Sequence, residues 1–345
     1  MAKRIRLSED LGVTWNTLPG NSGELRNEAG EIVDTIFGQD FSSTQPGLIG
    51  WSISSNALYK GFAGYVATIK RQGTSTVAAA EATTQVGATQ TYEITDTARQ
   101  ILDRSVVPII LDNGAAVADA DIESIDYLFG RVTFVAGYVV TGPVTLDINF
   151  FPTTELCGAN SFTLTQTAEG VDITDMCLAA GNNGYRIWDY GLKTVSLELS
   201  GFYNLSYGYL AQLRSRQEWI IELNPDGGGQ TVARGFFRAT SHGQSGTVGN
   251  PEEESVTFQL NVPDVDNLAT PFTWVHQPTT TLNQAVITFL NAWENSIEID
   301  AQYLGDGTAG EQGKVIVTEA SLTGGLEVMN EFSVTLQGTG EPTTV

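Results

Sequence analysis

The sequence predicts a mainly β fold, in which two copies of one β-rich domain each carry a short flanking α-helix and a small β module is inserted. Three observations support this. Residues 235–259 align without a gap to residues 313–337, and such internal similarity indicates one supersecondary unit used twice. The pattern of Gly-Leu, Ser and Tyr in residues 47–59 returns in residues 191–203. The chain is also rich in Val, Thr, Gly, Phe and Tyr, which favours strands and turns.

The order of the repeated blocks predicts the domain boundaries. Residues 1–60 and 280–345 are expected to form domain one, which is therefore discontinuous, and residues 156–279 form domain two. Residues 61–155 separate the two copies of the first block and have no counterpart, so they are expected to be the inserted β module. Another pairing of the repeated halves remains open.

Period-two alternation and turn residues predict the elements along the first half of the chain. Residues 78–90 are small and polar and indicate a flexible loop, and Asp112-Asn113-Gly114 indicates a tight hairpin turn, because Asn and Gly tolerate positive φ. Strands are predicted at residues 32–36, 50–59, 125–135 and 143–151, and a short helix capped by Thr95-Asp96-Thr97 is predicted to run to Arg104.

The second half of the chain repeats one order of elements. Apolar residues at 286, 289, 290 and 293 give the helical spacing i, i+3, i+4, i+7, which predicts an amphipathic helix over 282–294. Strands are predicted at residues 195–199, 218–223, 297–299, 314–320 and 331–337, a short helix at 207–217, and Gly-rich turns at 224–229 and 305–313. The tail after Gln337 is expected to be frayed.

The charge excludes one class of function. The chain has 345 residues and a formal net charge of −23, and Lys314 is the one Lys or Arg after Arg238. A surface dominated by carboxylates repels phosphates, so a conventional DNA-binding protein is excluded. Simple solubility, or adaptation to salt, accounts for the same charge.

Other features point to a soluble chain without catalytic chemistry. The basic start is not followed by an apolar segment, and no stretch approaches the ~20 apolar residues of a membrane helix, so we expect synthesis in the cytoplasm. Cys157 and Cys177 are expected to be buried free thiols. His242 and His276 fall in Gly- or Pro-rich sequence, which argues against metal or general-base roles. The sequence therefore predicts no enzyme, no metal site and no cofactor.

Residues 191–203 contain Gly-Leu, an alternating strand and Gly-Phe-Tyr, and residues 331–340 contain Glu-Phe-Ser-Val-Thr-Leu. On these residues the second half of the chain resembles the tail tube (major tail) proteins of long-tailed bacteriophages. The resemblance covers most of 1–60 and 156–345 and leaves out the insert. It implies tail-tube-type β-sandwich or barrel domains, six to a ring, in rings that stack into a hollow tube through which DNA passes. Duplicated members of the family look like trimers that form a pseudo-hexameric ring.

The same resemblance implies partners and a location. These are the chain itself, a tape measure protein, a tail terminator and tail-tip proteins in a virion tail, with transient passage of double-stranded DNA. The alternative is a β-rich virion decoration or adhesion module with immunoglobulin-like domains. A third hypothesis is that the chain is an acidic hydrolase that uses a carboxylate pair such as Glu298 and Asp300.

A tube that passes DNA must not hold it, and carboxylates on polar strand faces would repel phosphates. The candidates for lining the lumen are Glu198, Glu218, Glu222, Glu298 and Asp300; the outer surface is the alternative place for them. The candidates for contact between rings are Lys3, Arg4 and Arg6, which are expected to form a basic arm that docks on the acidic face of the next ring. Deletion of residues 1–6 is then expected to abolish stacking and to leave trimers intact.

Overall fold

Strands dominate the structure, a computed structural model that describes residues 3–33, 44–63, 66–156, 159–277, 280 and 282–345. The strands are β1 Arg4–Ser8, β2 Asn16–Thr17, β3 Gly20–Val33, β4 Thr44–Ala63, β5 Thr68–Gln72, β6 Thr76–Gln85, β7 Thr91–Ile94, β8 Ile109–Asp112, β9 Ala115–Ala116, β10 Ile122–Asp126, β11 Arg131–Phe134, β12 Val144–Phe150, β13 Thr153–Glu155, β14 Ala159–Asp172, β15 Trp188–Phe202, β16 Trp219–Asn224, β17 Thr231–Ser245, β18 Glu253–Leu260, β19 Phe272–His276, β20 Ile299–Leu304, β21 Gly310–Gly325 and β22 Val328–Thr344. The α-helices are α1 Met176–Gly181, α2 Tyr209–Ser215 and α3 Gln284–Asn295, and short 3-10 turns lie at Thr97–Arg99, Asp119–Asp121 and Leu205–Tyr207. The predicted mainly β fold is confirmed.

The chain divides into two compact units. The first unit contains Met1–Ala67, Asn160–Leu199 and His276–Val345, and the second contains Thr68–Ala159 and Ser200–Val275. This division differs from the predicted domains, because Asn160–Leu199 belongs to the first unit. The reason is that β14 pairs with β21. The two strands are antiparallel, and their paired residues extend from Ser161, opposite Gly325, to Thr167, opposite Glu319.

The first unit is a long antiparallel sheet with one buried face. From one edge the strands run β3, β4, β22, β21, β14 and β15, while β20, β1 and β2 continue from the other end of β21. Alternate residues of these strands form the buried face, among them Ile53, Leu164, Leu322, Phe332 and Leu336. Because successive side chains of a strand point to opposite faces, a sheet that is covered on one face buries every second residue.

Helix α3 covers the buried face of this sheet, as its spacing predicts. Asn283 caps its first turn by accepting a hydrogen bond from the backbone amide of Ala285 at 2.8 Å, a usual N-cap arrangement. The apolar stripe is buried, and the Phe289 ring meets the Phe332 ring edge-on with centroids 6.0 Å apart. The predicted frayed tail after Gln337 is wrong, because β22 continues to Thr344 beside β21.

The glycine at 338 leaves room for an indole. Trp51 is buried, its Nε1 donates to the carbonyl oxygen of Gly340 at 2.9 Å, and a Cβ on Gly338 would overlap its ring. We expect Gly338→Ala to destabilise the protein by about 1–3 kcal/mol, the usual cost of overpacking a core. Gly181→Ala is the matched control, since a Cβ there meets nothing within 4 Å. Urea denaturation midpoints check this, and equal midpoints for the two variants would contradict it.

The second unit joins the insert to residues 200–275 through one hydrophobic core. Its seven-stranded sheet has the order β10-β11-β7-β6-β12-β8-β9, and β13, β5, β16, β17 and β18 run side by side, with β19 on β17. Phe134 and Leu146 of the insert and Phe236 of β17 are buried in the same cluster. The insert predicted at 61–155 therefore shares its core with the segment that follows β15 in the chain.

Local predictions in the insert have mixed outcomes. The turn at Asp112-Asn113-Gly114 is confirmed, with φ of 50° at Asn113 and 80° at Gly114. The loop predicted at 78–90 is wrong for residues 78–85, because β6 occupies Thr76–Gln85 and pairs with β12 and β7, whereas residues 86–90 form the turn to β7. The single strand predicted at 125–135 is a hairpin, β10 and β11, closed through residues 127–130.

Candidate functional site

The exposed face of the sheet in the first unit is built from hydroxyl, amide and carboxylate side chains. We call it the polar face. Its residues are Glu24, Arg26, Ser52, Ser54, Asn56, Thr163, Thr165, Thr167, Thr194, Ser196, Glu198, Glu319, Ser321, Thr323, Glu331, Ser333 and Thr335. Residues directly opposite in antiparallel strands point to the same side. One row across four strands therefore runs from Ser54 through Thr335 and Glu319 to Thr167.

Hydroxyl groups on neighbouring strands bond to each other across the polar face. The Oγ atoms of Ser321 and Ser333 lie 2.6 Å apart, and the Oγ1 atoms of Thr167 and Thr194 lie 2.7 Å apart. These bonds tie β21 to β22 and β14 to β15, and each uses one hydroxyl donor and one hydroxyl acceptor.

The charges of the polar face are mainly negative. Carboxylates come from β3, β15, β21 and β22, at Glu24, Glu198, Glu319 and Glu331. Among the residues of the face whose side chains the structure describes, Arg26 is the cation, and it forms an ion pair with Glu28. Lys193 of β15 lies on the opposite side, where its Nζ donates to the carbonyl oxygen of Glu294 at 2.9 Å.

Glu198 is the one predicted lumen candidate that lies on the polar face. It is exposed, and it alternates with the buried residues Val195, Leu197 and Leu199, as the sequence predicts. Sequence reasoning missed the hydroxyl residues of β14, although Thr163, Thr165 and Thr167 alternate at period two with buried residues, of which Gln166 is polar. The signal in the sequence was threonine at every second position.

Glu218 and Glu222 lie in the second unit and are engaged in ion pairs. Glu218 Oε1 lies 2.6 Å from Arg104 Nε, and Glu222 contacts Lys70 Nζ at 3.0 Å and Arg234 Nη2 at 2.7 Å. Burial alone would raise the pKa of Glu222, but Arg234 and Lys70 outweigh it and hold that pKa below its ordinary value.

The prediction that Glu222 presents its carboxylate to a lumen does not fit its burial. Every residue of β16 is buried, so neither side of this strand faces solvent. Strands β5 and β17, its neighbours in the sheet, supply Lys70 and Arg234. A strand in which acidic residues alternate with apolar residues can therefore hold a buried ion pair, and this pattern alone does not indicate a solvent-exposed face.

Glu298 and Asp300 lie beside a lysine. Glu298 is exposed, with an oxygen 3.8 Å from Lys314 Nζ, and Asp300 of β20 is half-buried and pairs in register with Lys314. Strand β20 is not one of the strands of the polar face.

The predicted basic arm is a strand. Arg4–Ser8 forms β1 and pairs antiparallel with β20, and the intervening Ile5 and Leu7 are buried. Lys3 and Arg4 are exposed and Arg6 is half-buried. Deletion of residues 1–6 would remove Ile5 from the core, so that deletion cannot separate stacking from folding. Docking of Lys3, Arg4 and Arg6 on a neighbouring ring stays a prediction.

Sequence reasoning placed His242 in a loop and Cys177 in the interior, and both placements are wrong. His242 lies in β17, and its Nε2 is 2.7 Å from Glu254 Oε1, with both side chains 5% exposed. Cys177 is an exposed free thiol, and Cys157 lies outside the described residues.

Over the described part of the chain, no three His, Cys, Asp or Glu side chains are grouped so as to hold a metal ion. No helix among the described residues is long and apolar enough to cross a membrane.

Burial lowers the pKa of His276 to about 4. Because the folded chain holds this imidazole neutral, its stabilising contribution is present above the unfolded pKa of about 6.5 and is lost as the pH falls towards 4. We expect the free energy of unfolding to fall through this group by about 1.4 kcal/mol per pH unit in that window. His276→Gln should flatten that part of the profile. Denaturation midpoints measured across the window check this, and identical slopes for both proteins would contradict it.

Two solved particle structures are similar to about a third of the chain. One is the virion of a native gene transfer agent particle, with 16% identity, covering 32% of this chain and 85% of that chain at a TM-score of 0.28. The other is the tail of an empty gene transfer agent particle with C6 symmetry, with 16% identity, covering 32% of this chain and 84% of that chain at a TM-score of 0.29. No family model and no curated protein matches the chain.

Proposed function

We propose that this chain is a structural, non-catalytic virion protein that forms the hollow tube of a phage tail. Three copies, each with its duplicated block, form a pseudo-hexameric ring, and the rings stack into a channel that passes genomic DNA. The observation that carries the proposal is the polar face, which is continuous over six strands of one sheet and rich in carboxylates. The duplicated block and the resemblance of residues 191–203 and 331–340 to tail tube proteins support it.

The polar face has the chemistry that a DNA channel needs. Double-stranded DNA carries one phosphate charge per about 1.7 Å of its axis, and every Lys or Arg on the wall would add a salt-dependent contact. Carboxylates repel phosphates over a screening length of about 8 Å in physiological salt, so their effect acts close to the wall. The hydroxyls of Ser321 and Ser333 bond to each other, so this pair has one donor fewer to offer the DNA.

The partners follow from the proposed tube. They are other copies of the chain within and between rings, and, as the resemblance implies, a tape measure protein, a tail terminator and tail-tip proteins. The protein would be made in the host cytoplasm and would act in the virion tail without a cofactor.

Electron microscopy of the purified protein tests the proposal, with light scattering to give the mass. Tubes of uniform width built from trimers are the expected result, and a cryo-EM map of them should place Glu198 and Glu319 on the channel wall. Solid filaments without a channel, or a tube with these carboxylates on its outer wall, would contradict the proposal.

A further inference from the structure

Strands β17 and β18 repeat the pairing of β21 and β22. Ser241 pairs with Thr257 as Glu319 pairs with Thr335, and in both hairpins the register shifts directly before this pair. The sequence repeat relates the same residues, because Ser241 aligns with Glu319 and Thr257 with Thr335. The repeat in the sequence is therefore also a repeat of strand register.

The hairpin of β3 and β4 corresponds in the same way to β14 and β15. The repeated Gly-Leu block relates Gly50 of β4 to Thr194 of β15. Glu28 of β3 pairs with Gly50, and the hydroxyl contact of Thr167 with Thr194 places these two residues opposite each other. Glu28 therefore corresponds to Thr167, and β3 corresponds to β14.

The strand edge that β21 covers on β14 is open on β3. The outer edge of β14 pairs with residues 319–325 of β21. In the described part of the chain, β3 pairs with β4 alone, over a strand of 14 residues. Such an edge presents unpaired backbone N–H and C=O groups and is a template for another strand.

The edge of β17 that corresponds to residues 319–325 is also open. It consists of residues 241–247, which we call the receiving edge. Strand β16 pairs with residues 233–237 of β17, so over the described residues positions 241–245 pair with β18 alone. The chain therefore contains one filled contact, between β14 and β21, and one open copy of each of its two sides.

Burial differs between the filled contact and the open edges. Gln166 and Ala168 of β14 are 1% and 4% exposed, whereas the corresponding Asn27 and Ala29 of β3 are exposed. The same positions are thus buried where a strand covers the edge and solvent-exposed where none does.

The receiving edge shows the same difference. Leu322 of β21 is 1% exposed, and Gln244, its counterpart on the receiving edge, is exposed. Gly325 is buried, whereas its counterpart Thr247 is exposed. Both open edges therefore have the exposure expected of a contact whose partner strand is missing from the single chain.

We propose that β3 of one copy pairs antiparallel with the receiving edge of the next copy, in the register that β14 and β21 have within the chain. Transfer of that register places Glu28 opposite Ser241 and Glu24 opposite Ser245. The partner is a second copy of this chain, and main-chain hydrogen bonds between the strands supply the contact. The contact deepens the proposed function, because it is the one between neighbouring copies within a ring.

The contact joins two different edges and is therefore head-to-tail. Each copy has one β3 and one receiving edge, so every added copy offers one edge of each kind. Contacts of this kind close into a ring when the rotation between copies allows it and otherwise continue as a helical filament.

Charge favours this pairing over a symmetric pairing of two β3 strands. Residues 239–250 contain no Asp, Glu, Lys or Arg, in a chain of net charge −23. Strand β3 carries three glutamates and one arginine. An acidic strand beside an uncharged edge avoids the repulsion that like charges suffer when they lie opposite each other.

The proposed contact extends the polar face from one copy to the next. Residues opposite each other in antiparallel strands point to the same side. Ser241 and Ser245 would therefore lie on the same side as Glu24 of the preceding copy. Their partners on β18, Thr257 and Glu253, continue that side.

Engineered cysteines test the register. Glu24→Cys and Ser245→Cys are placed on separate chains, both carrying Cys157→Ser and Cys177→Ser. Opposite residues of antiparallel strands have Cα atoms about 4.5–5.5 Å apart, within the ~4.4–6.8 Å that a disulfide bridges. Glu28→Cys with Ser245→Cys is the matched control, because the register separates them by about 13 Å. All three positions are exposed, so folding should be unaffected.

Oxidation followed by non-reducing gel electrophoresis gives the readout. The equimolar mixture of Glu24→Cys and Ser245→Cys chains should form a dimer that contains one chain of each kind. The mixture of Glu28→Cys and Ser245→Cys chains should lose that dimer. Dimers from any one variant alone, an equal yield from the control mixture, or no dimer in the matched mixture would overturn the inference.

A chain that carries both Glu24→Cys and Ser245→Cys separates the two proposals. Its cross-linked products should end at three linked copies if the ring is the proposed trimer. A series that ends at another number, or continues without limit, would sustain the strand contact and reject the trimeric ring. Hollow tubes of trimers in which residues 24 and 245 do not cross-link would sustain the tube and reject the strand contact.

Discussion

Replacement of Arg234 with alanine is expected to destabilise the second unit by about 3–5 kcal/mol, because it leaves a buried carboxylate without its main partner. Arg234 Nε donates to Glu222 Oε2 at 2.8 Å, and its Nη1 donates to the carbonyl oxygen of Leu128 at 2.8 Å. Its guanidinium also lies 4.4 Å from the centre of the Phe129 ring. Arg234 and Glu222 are only 7% and 4% exposed.

The effect should exceed that of an ordinary ion pair because Arg234 joins two parts of the chain. Leu128 and Phe129 lie in the turn between β10 and β11 of the inserted seven-stranded sheet, whereas Glu222 and Arg234 belong to β16 and β17. Loss of the side chain therefore removes a charge pair, a hydrogen bond to a buried carbonyl and a cation–π contact at the same place.

Chemical denaturation followed by tryptophan fluorescence checks this prediction. Arg26→Ala is the control, because Arg26 and Glu28 are 65% and 62% exposed and such surface pairs contribute about 0–1 kcal/mol. The double variant Arg234→Met with Glu222→Met should recover much of the lost stability, since it removes both charges together. A loss no greater for Arg234→Ala than for Arg26→Ala would show that the buried network is dispensable.

Three predictions that depend on neighbouring residues in the chain succeeded. The helix with the spacing 286, 289, 290 and 293, the turn at Asn113-Gly114 and the alternation of β15 are all encoded in short windows, and the structure contains each of them. The loop predicted at 78–90 failed because small residues and threonines gave no period, while pairing with β12 and β7 holds β6 as a strand. Tertiary context overrode local propensity there.

The surroundings of a strand depend on which strands are its neighbours, and this is not encoded in a short window. Glu198 and Glu222 look alike in sequence, as acids that alternate with apolar residues, yet one is exposed and the other is enclosed by β5 and β17. Glu319 and Glu331 join Glu198 on one surface only because β14 pairs with β21 far along the chain. A single sequence holds no direct signal for that pairing.

The largest functional effect is expected when the polar face is made basic. In the variant Glu198→Lys, Glu319→Lys and Glu331→Lys, three exposed carboxylates on three strands become cations. Tubes of this variant should retain linear double-stranded DNA that wild-type tubes release. A wall that makes about 6–10 phosphate contacts loses about 10³–10⁵ in affinity between 50 and 200 mM salt, so retention should collapse over that range. Pelleting of assembled tubes with labelled DNA at several salt concentrations measures this.

The topology of the DNA distinguishes a channel wall from an outer wall. Linear duplex can enter a tube through its end, whereas a covalently closed circle cannot, so a basic lumen should retain linear DNA and leave circles free. The matched control carries Asp119→Lys and Asp121→Lys in the 3-10 turn before β10 and Glu123→Lys in β10 of the seven-stranded sheet, outside the polar face. It adds the same charge and should bind both forms of DNA if that sheet lies on the outside. Equal retention of circles by the polar-face variant would place Glu198, Glu319 and Glu331 on an outer surface, and the acidic face would then serve solubility rather than the passage of DNA.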